Sequence, residues 1–119
     1  MGSILIVDDA AFMRMLIKDT LTKQGYTDIV EAPDGQAACD VYASTYPALV
    51  FMDITMPNKT GLEALADIKK MDPMAKVVMC SAMGQEPMVV DAIRLGAIDF
   101  IVKPFKPDRL IQVVKKVLG

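Results

Sequence analysis

Five polar residues follow four short apolar runs: Asp8 and Asp9 after Ile4-Leu5-Ile6-Val7, Asp53 after Ala48–Met52, Ser81 after Lys76–Cys80 and Lys103 after Asp99–Val102. Three carboxylates converging on one crevice repel one another, and the arrangement needs a cation to be tolerable. All are hard oxygen donors, the chain has no histidine, and neither Cys39 nor Cys80 is expected near them. That chemistry suits Mg²⁺ or Mn²⁺ and disfavours zinc. Mg²⁺ takes one or two carboxylates, keeps several waters and completes its shell with phosphate oxygens. A lysine and a hydroxyl facing the same ion would bind the remaining oxygens of a phosphoryl group. The set reads as a phosphoryl-transfer site in which a carboxylate is itself a candidate acceptor.

Each member taken singly has an ordinary explanation. An aspartate after a strand is often a helix N-cap, a serine there a turn residue, and a lone lysine a surface residue. Their joint placement, acidic on one side and basic on the other, carries the argument. It requires the apolar runs to be neighbouring strands. The runs Ser3–Val7, Ala48–Met52 and Lys76–Cys80 are continuous rather than alternating, as expected of strands covered on both faces. Asp28–Glu31 and Asp99–Val102 complete a set of five.

Stretches with helical spacing lie between them. Phe12, Met13, Leu16, Ile17 and Leu21 predict one buried face of a helix over about Ala10–Lys23. Asp34-Gly35 opens a helix through Tyr42. Thr60-Gly61-Leu62-Glu63 has the form of a capping box, and Gln85-Glu86-Pro87 opens a helix that Gly96 ends. In that fourth helix Met88, Val89, Ala92 and Ile93 are expected to face inward and Val90 outward. Leu110, Val113, Val114 and Val117 mark a last helix with Pro107 in its first turn. Five βα units imply a parallel sheet with right-handed crossovers. They are too few for a closed eight-stranded barrel, so the fold class is α/β: an open, doubly wound, flavodoxin-like (βα)5 sheet in the order 2-1-3-4-5. Ligands bind such sheets where the strand order reverses, here between the first and third strands, which carry the three aspartates.

The 119 residues suit a single domain over 1–119. Hydrophobic residues at 53% exclude intrinsic disorder, and no apolar run could span a bilayer. Met1-Gly2-Ser3 shows no basic leader, which with two apolar-embedded cysteines predicts a cytoplasmic protein. The net charge of −2 argues against sequence-independent nucleic-acid binding. Five of the thirteen Lys/Arg lie in residues 100–119 beside Asp108 as the only acid. Such a basic end is either a solvated helix face or a docking face for an acidic partner. The ten methionines read as adaptable core filler.

Over nearly its whole length the sequence resembles the receiver domain of two-component response regulators. The resemblance rests on Ile6-Val7-Asp8-Asp9, Met52-Asp53-Ile54-Thr55-Met56-Pro57, Gly61, Ser81-Ala82, Gly96-Ala97 and Lys103-Pro104-Phe105. It implies that Asp53 accepts a phosphoryl group from a phosphohistidine on a sensor histidine kinase. It also implies that Asp9, Asp53 and the backbone carbonyl of Thr55 bind Mg²⁺ directly, with Asp8 acting through water. Lys103 would pair with Asp53 at rest, through a residue joined to Pro104 by a cis bond, and Ser81 would report the new charge. Phe100 stands where the family carries its switch aromatic, often a tyrosine. Such proteins assist their own phosphorylation and slow dephosphorylation but act mainly as switches.

With no effector domain following, output would pass through the face of the fourth helix, fifth strand and fifth helix, where Val90 projects. Asp9–Arg14 and Cys80–Gln85 look nearest to the single-domain chemotaxis type, a monomer that binds a flagellar motor switch component. A phosphorelay intermediate and a receiver-like interaction module that is never phosphorylated stay open as alternatives. A haloacid-dehalogenase-type phosphatase lacks its general acid, because Thr55 stands at that position. A flavodoxin-like FMN carrier is disfavoured because Asp8 and Asp9 would repel its phosphate.

Overall fold

The computed structural model describes residues 2–119; Met1, read above as the start of a leaderless N-terminus, lies outside them. Elements alternate strictly: β1 (Ile4–Val7), α1 (Ala11–Lys23), β2 (Ile29–Ala32), α2 (Gly35–Thr45), β3 (Leu49–Asp53), α3 (Gly61–Met71), β4 (Val77–Ser81), α4 (Glu86–Arg94), β5 (Asp99–Val102) and α5 (Pro107–Leu118). All strand pairs are parallel and the sheet runs β2-β1-β3-β4-β5. β1, β3 and β4 are buried at every position, the burial that their unbroken apolar runs predict.

The pleat divides the core into two. Leu5, Val7, Val50, Met52, Val77 and Met79 face α2, α3 and α4. Ile4, Ile6, Phe51, Val78 and Ile101 face α1 and α5 with Ile17, Leu21, Leu110 and Val113. Such layering follows from side chains alternating across each strand.

Several element boundaries and two helix faces depart from the sequence expectations. β2, β3 and β4 begin and end one residue later than the apolar runs, so Asp53 and Ser81 are the last residues of their strands and not the residues after them. The backbone ladder ignores side-chain polarity: the Ile54 amide still donates to the Cys80 carbonyl at 3.2 Å and the Lys103 amide to that of Ser81 at 2.6 Å. α2 continues past Tyr42 to Thr45, where the Ser44 and Thr45 hydroxyls donate to the Val41 carbonyl and Tyr46 closes the helix at φ 44°.

On α1, Phe12 is 65% and Leu16 42% exposed, against the expectation of burial. Only the seam through Met13, Ile17 and Leu21, spaced by four, meets the sheet and α5. On α4, Val89 and Ala92 are buried, whereas Met88 and Ile93 are 42% and 46% exposed alongside Val90 at 50%. α4 packs on β4 and α3, while Phe100 and Val102 of the outer strand β5 stay partly exposed, so the buried stripe of α4 is narrower than the sequence suggests.

Candidate functional site

The C-terminal ends of β1, β3, β4 and β5 deliver Asp8 and Asp9, Asp53, Ser81 and Lys103 to one end of the sheet. Carboxylate oxygens of Asp8, Asp9 and Asp53 lie within 4.8 Å of one another. The Lys103 ammonium bridges two of them, donating to Asp8 Oδ2 at 2.7 Å and lying 3.2 Å from Asp53 Oδ1. Sequence reasoning paired Lys103 with Asp53; the shorter contact is to Asp8. Asp8 and Asp53 are buried, while Asp9 is exposed at the mouth.

Local structure holds each group. Asp8 Oδ1 accepts from the Ala10 amide at 2.9 Å, a turn that starts α1. The Lys103–Pro104 peptide is cis. Gly61 donates its amide to the Ile54 carbonyl at 2.7 Å, and a Cβ there would overlap the Asp53 carbonyl, so only glycine lets α3 start this close to β3. Behind it, Thr60 and Glu63 complete the expected capping box.

Burial raises the Asp53 carboxyl above its ordinary value; the nearby Lys103 ammonium opposes the rise, and the Asp8 and Asp9 charges add to it. Burial pulls the Lys103 ammonium down, but its hydrogen bond to Asp8 and the charges of Asp53 and Asp8 outweigh that and raise it overall. Three carboxylates against one ammonium leave the cluster with a formal charge of −2. The donor set consists of hard oxygens with unequal exposure, Asp9 outside and Asp53 inside, and it fits a small divalent cation. Cys80, expected away from the carboxylates, is the register partner of Asp53. Its thiol is buried and pushed up to about 12 by desolvation, so it offers no competing thiolate.

The model of the response regulator receiver domain matches residues 4–115. The chain belongs to this receiver family. Over 116 residues the receiver is 56% identical to the chemotaxis protein CheY of Bacillus subtilis, covering 98% of this chain and 97% of that one. It is 54% identical over 114 residues to the CheY of Thermotoga maritima, covering 96% and 95%. Among solved structures, the receiver domain of NtrX from Brucella abortus superposes with a TM-score of 0.91 at 42% identity, covering 97% of each chain.

The remaining sequence candidates of this receiver lie around a second feature. Ser81 is buried at the end of β4 and lines a cavity of about 540 Å³ between α4 and β5, together with Val90, Ile93, Phe100 and Val102. Phe100 is 38% exposed there. Thr55 lies in the loop two residues beyond Asp53, and its hydroxyl accepts from Gln85 Nε2 at 2.8 Å.

Two side-chain roles in this receiver escaped the sequence reading. Arg14 donates to the Asp8 carbonyl at 2.6 Å and to Glu31 at 3.1 Å, bracing the β1–α1 turn. A cation in the first turn of a helix opposes the helix dipole, and that misfit was a usable signal for an acidic or carbonyl partner. Gln85 ties Thr55 to Ala82. Its signal was weaker: an unusual residue type at a helix N-cap.

Proposed function

We propose that this receiver is the phospho-accepting switch of a chemotaxis pathway, with Asp53 as acceptor. One observation carries the reading: the clustered carboxylates of Asp8, Asp9 and Asp53, with the Lys103 ammonium set against two of them. Asp9, Asp53 and the Thr55 carbonyl would hold Mg²⁺ (or Mn²⁺), with Asp8 assisting through water. When bound, the ion would supply charge neutralisation for an incoming phosphoryl group. An Asp53 Oδ forms the new O–P bond as the P–N bond of a kinase phosphohistidine breaks, and the imidazole leaves as a neutral base on taking a proton. Lys103 passes from Asp53 to a phosphoryl oxygen, which stabilises charge in the transition state and product.

Ser81 belongs both to the carboxylate end and to the α4–β5 cavity, so a move of its hydroxyl toward the phosphoryl group changes the wall shared with Phe100 and Val90. That face then binds the output protein, a flagellar motor switch component. Phe100 brings no phenol hydrogen bond, so readout there rests on ring burial. The similarity to CheY proteins supports a cytoplasmic location; no described helix is long and apolar enough to cross a membrane.

Incubation with acetyl phosphate and Mg²⁺ will add one phosphoryl group, detected by intact mass, and Asp53→Asn will abolish it. Labelling that survives the substitution moves the acceptor elsewhere. No labelling of the wild type leaves a silent interaction module.

A further inference from the structure

Gln85 sits at the N-cap of α4, where a side chain ordinarily accepts from its own helix's first amides; its side chain makes no such bond. Instead the carboxamide spans the two loops that flank Asp53. Its Oε1 accepts from the Ala82 amide at 2.6 Å, and its Nε2 donates to Thr55 Oγ1 at 2.8 Å. The Ala82 N–H can only donate, so it must face Oε1, which leaves Nε2 for the hydroxyl. Ala82 is the first residue past Ser81, and Thr55 the second past Asp53, on adjacent strands. Residues 82–84 are exposed and Gly84 takes φ 90°, so apart from the Gln85 amide to Ala82 carbonyl turn bond at 3.3 Å the loop has little else to hold it.

We propose that Gln85 is a positioning residue that latches the β4–α4 loop in the resting conformation and so sets how readily the switch responds to a phosphoryl group. This rests on Asp53 being the acceptor. A phosphorylated Asp53 brings close to two negative charges and strong acceptor oxygens to the ends of β3 and β4. Such an anion outcompetes a neutral carboxamide oxygen for a nearby N–H. The Ala82 amide therefore exchanges partners, and the Gln85 bridge to Thr55 opens with it. Bonds made only at rest hold the population there, and their loss shifts it toward the switched form.

Two variants separate this from simple loosening. Gln85→Met keeps the length of the side chain and deletes both bonds; it will bind beryllofluoride with Mg²⁺ about fivefold tighter than wild type, the size expected of one or two net hydrogen bonds. Gln85→Glu keeps an acceptor for Ala82 and adds a like charge; it will bind beryllofluoride more weakly than wild type. The readouts are calorimetric affinity and hydrogen exchange at the Ala82 amide, which will be faster in Gln85→Met. Equal affinities for wild type and Gln85→Met, or a shift of both variants in one direction, overturn the latch while leaving Asp53 as acceptor. No beryllofluoride binding by wild type overturns the phosphoryl reading and the latch with it.

Discussion

The carboxylates of this receiver live in two regions with opposite energetics. At the strand ends, Asp8 and Asp53 are buried beside each other and share one ammonium, and the Asp53 carboxyl is raised. Along the α2–α3 edge Glu63 is exposed, Asp34 and Asp67 are half-buried, and each has its own donors. Asp34 caps the Ala37 amide at 2.8 Å and accepts from Asn58, Glu63 caps Thr60, and Asp67 pairs with Lys59. All three of those carboxyls are lowered, Asp34 and Glu63 chiefly by backbone amides and Asp67 by the Lys59 hydrogen bond. The edge carboxylates are held in their ionised form by their surroundings. The Asp53 carboxylate at the strand end is ionised against its surroundings, which is the condition for binding a cation and attacking an electrophile. A residue type says little about its role until its donors are counted.

The largest break in this contrast comes from removing the ammonium. Lys103→Met leaves Asp8 and Asp53 without a counter-charge and will cost about 3 kcal/mol in urea unfolding in EDTA, the scale for breaking a buried pair from one side. Added Mg²⁺ will restore part of the loss and also stabilise wild type, by ~1.4 kcal/mol at ten times its Kd. A variant as stable as wild type in EDTA, or indifference of both to Mg²⁺, contradicts a strained acidic cluster.

The strand order and the convergence of Asp8, Asp9, Asp53 and Lys103 were legible because they depend on period and topology. Continuous apolar runs mark buried strands, and parallel connections put all their C-terminal ends on one side. What escaped depends on who the neighbours are. Phe12, Leu16, Met88 and Ile93 follow helical spacing, yet each faces a direction that no other element covers. The preference of Lys103 for Asp8 over Asp53 is a matter of half an ångström between two loops that hydrophobic pattern does not encode. Gln85 is farther still from pattern, since its partners are set by the meeting of two turns.

A smaller effect sharpens the comparison from the other region. Thr60 accepts from the Glu63 amide at 3.2 Å in the capping box, and Thr60→Ala will cost about 1 kcal/mol. That loss will be equal in EDTA and in Mg²⁺, because the cap serves α3 and carries no share of the acidic cluster. A cost that changes with Mg²⁺ would join the two regions that the geometry separates.

The smallest and most discriminating effect is the sign of the pH dependence in EDTA. Glu63 has its carboxyl lowered from 4.5, so its contribution is complete above that value and is lost as pH falls through the depressed one. Asp53 is raised from 3.8, so between its raised value and 3.8 the folded form binds more protons than the unfolded form. Its ionised form opposes folding, and protonation relieves that. The stability of wild type relative to Asp53→Asn will therefore rise on acidification through that window, while stability relative to Glu63→Gln will fall over the more acidic range. Urea unfolding across mildly acidic pH measures both differences on the same protein. Two curves that fall together would mean that Asp53 is stabilised as a carboxylate like the edge acids, and the electrostatic distinction between the two regions would be lost.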